Sequence, residues 1–105
     1  MIMTTGTAVE GRPVKEYLDV VTAQAIMGVH LGRDLKAFGR SIVGGRSGTY
    51  EKEFAKAVGE AKDELRAAAE PLGADAVIGV SLDYEEVGDE MLMVAASGTA
   101  VKLDR

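Results

Sequence analysis

The run Tyr50-Glu51-Lys52-Glu53-Phe54-Ala55-Lys56-Ala57-Val58-Gly59-Glu60-Ala61-Lys62-Asp63-Glu64-Leu65-Arg66-Ala67-Ala68-Ala69-Glu70 decides the fold. Tyr50, Phe54, Ala57, Ala61, Leu65 and Ala68 recur at three- and four-residue steps and trace one apolar stripe, as a helix buried along one side requires. Lys52, Lys56, Lys62 and Arg66 intermingle with Glu51, Glu53, Glu60, Asp63, Glu64 and Glu70 over the remaining surface, a solvated face with i,i+4 pairs. Pro71 and Gly73 end the helix. Proline disfavours the helical region for the residue before it, and glycine accepts the left-handed cap.

On the C-terminal side of this helix the period changes to two. In residues 76–84 the alternation puts Ile78, Val80, Leu82 and Tyr84 on one face of a half-buried strand. Val87-Gly88-Asp89-Glu90 supplies a polar turn, and residues 91–101 resume an extended pattern, so the two strands are expected to pair as a hairpin. In the last strand neither face is strongly polar: Met91, Met93, Ala95 and Val101 lie on one side, Leu92, Val94, Ala96 and Ala100 on the other. One helix hides one of those faces. The second calls for a short helix or a neighbouring subunit, and in so short a chain the neighbour is favoured.

On the N-terminal side, the glycine cluster Gly44-Gly45-Arg46-Ser47-Gly48 reads as a loop, with Ser47 or Thr49 able to cap the helix that follows. Before it, Leu35, Phe38, Gly39 and Ile42 space a short helix over residues 32–42. Residues 14–29 are rich in β-branched side chains and roughly alternating, with Tyr17, Val21, Ala23, Ala25 and Met27 falling on one side of a long strand or bent hairpin. The expected product is an α+β domain spanning residues 1–105. It has two layers, an antiparallel sheet against one long and one short helix.

Composition narrows the function classes. The chain has 105 residues, 47% of them hydrophobic, and two prolines, as a folding globular chain needs. The absence of cysteine excludes disulfides, thiolate nucleophiles and thiolate metal centres. A net charge of −5 argues against nucleic-acid binding, which draws most of its non-specific affinity from basic surface. No stretch reaches the roughly 20 continuous apolar residues of a membrane span. Residues 1–7 lack the basic and apolar regions of a secretory signal, so a cytoplasmic location is expected.

Five strings, taken in order and spacing, resemble the YbjQ-like family: Thr4-Thr5, Val20-Val21-Thr22, Ile42-Val43-Gly44-Gly45-Arg46-Ser47-Gly48-Thr49-Tyr50-Glu51, Leu72-Gly73-Ala74-Asp75-Ala76-Val77-Ile78-Gly79-Val80 and Ser97-Gly98-Thr99-Ala100-Val101. The match spans essentially the whole chain. This bacterial and archaeal group of uncharacterised proteins often carries a heavy-metal-binding label. The resemblance implies a dodecin-like subunit that assembles into a homopentameric ring through shared β structure, and it implies no known activity.

His30 is the single histidine, and with Met3, Met27, Met91 and Met93 it makes a thin donor set for one chain. Met91 and Met93 stand two apart on one strand face and suit a thiophilic ion if a ring brings copies together, although methionine is also a routine filler of cores and interfaces. No cofactor is therefore expected. The candidate ligand site is Gly44, Gly45, Arg46, Ser47 and Gly48, where backbone N–H groups, a helix start and Arg46 could face an anion such as phosphate. The same residues also satisfy a tight helix–helix turn, and the Gly-Lys-Ser/Thr ending of a Walker loop is missing.

Asp83, Glu85, Glu86, Asp89 and Glu90 concentrate five acids, which fits a solvated hairpin tip or a contact with Arg33, Lys36 and Arg40 of another subunit. Ser41, Ser47, Ser81 and Ser97 have His30 as their sole possible imidazole base and no nucleophile-elbow motif, so no catalytic residue is assigned and a non-enzymatic protein is expected. Its partner is expected to be itself, in a pentamer. The alternatives are a heavy-metal binder using symmetry-related side chains, and a small-anion binder or enzyme using the glycine loop.

Overall fold

The stripe of residues 50–70 forms the long helix α1 of a computed structural model, which describes residues 1–27, 48–86 and 91–104. The elements are β1 (Ile2–Met3), β2 (Val14–Met27), α1 (Gly48–Ala69), a 3-10 turn (Glu70–Leu72), β3 (Ala76–Glu86) and β4 (Leu92–Leu103). Ala57, Ala61 and Leu65 turn inward as the stripe requires, but the last inward position is Ala69, which is buried, whereas Ala68 is exposed. Residues 57, 61, 65 and 69 follow the four-residue steps of a helix lying over a sheet. The helix ends where expected: Gly73 adopts a left-handed φ of 77°, and its N–H donates to the Glu70 carbonyl. The short helix expected over residues 32–42 lies outside the described residues.

The strands lie in the order β1-β3-β4-β2. β3 and β4 form the expected antiparallel hairpin pair, and β2 joins the free side of β4, also antiparallel. The sheet is not wholly antiparallel, because β1 runs parallel to β3 with Ile2 opposite Ala76 and Met3 opposite Val77. This pairing continues past β1: Thr4 N–H donates to the Val77 carbonyl, and Gly79 and Val80 N–H donate to the carbonyls of Gly6 and Thr4. The strand it adds is two residues long, too short for any alternation to announce it.

β4 lies inside the sheet between β3 and β2, and its apolar character on both faces matches cover on both. Its even-numbered residues Val94, Ala96 and Ala100 join Val21, Ala25, Val77, Ala57, Ala61, Leu65 and Ala69 in the main core beneath α1. Many of these residues are alanine, which lets the helix approach the sheet closely. On the opposite face Ala76, Ile78, Val101 and Leu103 form a smaller cluster, covered by Val9 and Val14 of the segment leading into β2. That segment turns at Gly11, whose φ is 80°, and is tied down where Arg12 Nε donates to the Asp104 carbonyl and Asp104 N–H donates to the Pro13 carbonyl.

Three register shifts interrupt the ladder, one in β3 and two in β2, and two of them overturn the simple alternation. Between Ile78 and Ser81, β3 uses one residue more than β4, and Gly79 has a φ of 60°. A β-bulge of this kind shifts the phase of every later side chain. Ile78 therefore lies in the smaller cluster, while Val80 and Leu82 pack under α1 and Tyr84 meets Phe54 with ring centroids 4.9 Å apart. A second register shift, between Tyr17 and Asp19 in β2, likewise separates Tyr17 from Val21, Ala23 and Ala25. Those three pack under the helix, and Tyr17 is 70% exposed. The backbone of Met27 pairs with Leu92, and its side chain lies outside the described residues.

No atom lies within 4 Å of a Cβ placed on Gly79, so only its backbone conformation resists substitution. Gly79→Ala is expected to cost about 1 kcal/mol, the ordinary penalty for a side chain in the left-handed region. Urea denaturation checks this, and an unchanged midpoint would show that the bulge relaxes without glycine.

Candidate functional site

The register fixes which side chains share the sheet face turned away from α1, since directly opposed residues point the same way. Three rows cross it: Ile26, Met93 and Glu85; Gln24, Ala95 and Asp83; Thr22, Ser97 and Ser81. The next row, Val20, Thr99 and Ile78, marks the border, because Ile78 is already under the Val9 and Val14 cover. Among the described residues nothing covers the rows beyond that border. Val20 is 67% and Ile26 54% exposed there, and Met93 and Ala95 are half-buried. Carboxylates gather on the β3 side of this face and uncharged residues on the β2 side.

The edges of the same sheet add to this surface. Among the described residues, β2 pairs with β4 along its length and with nothing on its other side. On the opposite edge, the pairing of residues 2–6 with β3 stops at Val80, leaving residues 81–86 without a second partner strand among the described residues. An unpaired row of N–H and C=O groups on a 14-residue strand is a template for another strand unless something covers it.

The sequence candidates fare unequally. Gly44, Gly45, Arg46 and Ser47 lie outside the described residues, and Gly48 is the first residue of α1. His30, Arg33, Lys36, Arg40, Asp89 and Glu90 also lie outside them. Asp83, Glu85 and Glu86 belong to β3 itself and not to a hairpin tip, with Asp83 and Glu85 on the outer face. Met93 sits in the outer-face row between Ile26 and Glu85, whereas Met91 precedes β4.

Among the described residues no three His, Cys, Asp or Glu side chains gather as a metal centre would need. The sequence has one histidine, His30, which lies outside the described residues, and no cysteine. No helix among the described residues is long and apolar enough to cross a membrane. Sequence reading missed Val20, Thr22, Gln24 and Ile26 as a surface. Their signal was present in β2 as the residues alternating with Val21, Ala23 and Ala25.

Taken together, fold and surface define an α+β protein in which, among the described residues, one helix covers one face of a four-stranded mixed sheet. A protein-family profile described as "Putative heavy-metal-binding" matches residues 1–104, and the chain belongs to this YbjQ family. Two relatives from Bacillus cereus strains, each named "UPF0145 protein", are 48% identical over 98% of this chain and all of their own length. A crystal structure from Pediococcus pentosaceus, of a protein of unknown function in the DUF74 family, has the same fold with a TM-score of 0.62. It is 23% identical and the match covers 99% of this chain and 98% of that one.

Proposed function

We propose that this chain is the subunit of a cytoplasmic homopentameric ring of dodecin-like design, acting as a scaffold or small-ligand-binding module and not as an enzyme. The observation that carries self-association is the outer sheet face, where Val20 and Ile26 are exposed on the 14-residue strand β2, which among the described residues has β4 on one side and no strand on the other. Burying a valine or isoleucine side chain contributes about 1.5–3 kcal/mol, so a neighbour seated here gains from each. The number five comes from the family resemblance.

Area indicates how such a contact must be built. Three strands about 4.8 Å apart, followed for seven residues at about 3.3 Å each, present roughly 300 Å². A stable interface takes about 800 Å² from each partner. The outer face is therefore too small by itself, and the strand edges have to take part.

Native mass spectrometry is the test, with a species at five times the 11.0 kDa subunit mass as the expected result. A monomer at micromolar concentration overturns the reading. The double variant Val20→Lys, Ile26→Lys is expected to shift the population to smaller species while its far-UV circular dichroism stays native, because both side chains are exposed in the single chain. An intact assembly would place the contact elsewhere.

Elemental analysis of the same dialysed sample separates this reading from metal binding by symmetry-related His30, Met91, Met93 or carboxylates. Zn, Cu, Ni or Cd retained in fixed ratio to subunit would favour the metal reading. For the glycine loop, Arg46→Ala is expected to weaken phosphate or nucleotide binding and leave the assembly mass unchanged if the loop holds an anion. Unchanged affinity, or loss of assembly, would assign Gly44–Gly48 to a structural turn.

A further inference from the structure

We draw no further inference here: the strongest candidate, the outer sheet face from residues 20–26 of β2 across to residues 81–85 of β3, already belongs to the self-association surface proposed above, and nothing in the structure shows what else covers it.

Discussion

Leu65→Ala is expected to lower the unfolding free energy by about 2–5 kcal/mol, the range for deleting a fully buried leucine side chain. Leu65 is 0% exposed and is among the largest fully buried side chains, with Val77, Val94 and Val101. It projects from the middle of α1 into the main core, where Val21, Val77 and Val94 are the other large buried members, the remaining buried members described are alanine, and Phe54, Leu82 and Leu92 are among the partly buried side chains packed against them. Alanines cannot move in to fill the vacated volume, since their side chains have no rotamers to change. Relaxation is left to the larger partly buried side chains packed against this core, such as Leu82 and Leu92, so the cost stays within that range.

Urea denaturation at one fixed protein concentration measures it, because any self-association would make apparent stability depend on concentration. Ala68→Leu is the control. Ala68 is exposed although its spacing places it on the stripe, so this variant should stay within about 0.5 kcal/mol of the parent. A small loss for Leu65→Ala together with a large one for Ala68→Leu would show that α1 is rotated from the described position.

Gly98→Ala carries the second large effect, through crowding instead of a cavity. A Cβ on Gly98 would stand 2.6 Å from Val77 Cγ1, 3.2 Å from the Ile78 carbonyl and 3.4 Å from Val80 Cγ2. Gly98 lies in the central strand opposite the β3 bulge, where the extra residue brings β3 atoms over it. Val77 is itself fully buried, so it has little room to yield. Overpacking of this kind costs about 1–3 kcal/mol, and the backbone carbonyl as second obstacle places this site at the upper end.

The two glycines of this crossing thus differ in cause: Gly79 is required by its dihedral angle and Gly98 by the space above it. Thermal or urea unfolding of both alanine variants should rank Gly98→Ala as the more damaging. Equal losses, or a Gly98→Ala protein as stable as the parent, would mean that the bulge is not fixed against β4. The crossing also sets the outer surface, since the bulge phase decides that Asp83 and Glu85 face outward and Leu82 and Tyr84 face α1. A variant that removed the bulge would exchange these two sets, at a cost in stability and with a change in the surface proposed for self-association.

Much of this architecture follows from local pattern. The 3.6-residue stripe specified α1, Pro71 and Gly73 specified its end, and period-two runs specified β3, β4 and the greater part of β2, because each signal needs only neighbours along the chain. The apolar character of both β4 faces likewise called for a second cover on the side away from the helix, whereas its central place in the strand order came from the structure. What sequence alone did not determine was the phase. Tyr17 and Ile78 each precede an extra residue in the register, and so each lies on the opposite face from the partners its spacing suggests.

An isolated glycine in a strand is a bulge signal, and Gly79 was there to be read. Whether the bulge forms is nonetheless decided by Gly98 across the pair and by the carbonyls of Thr4 and Gly6, residues far away in sequence. β1 is decided in the same way: two residues carry no period, and their parallel alignment with β3 exists only because the hairpin leaves an edge for them. The surface proposed for self-association belongs to this second group. Val20 and Ile26 are unremarkable apolar residues in the sequence, and become an exposed pair only once the helix has chosen the other face and the cover from Val9 and Val14 stops short of them.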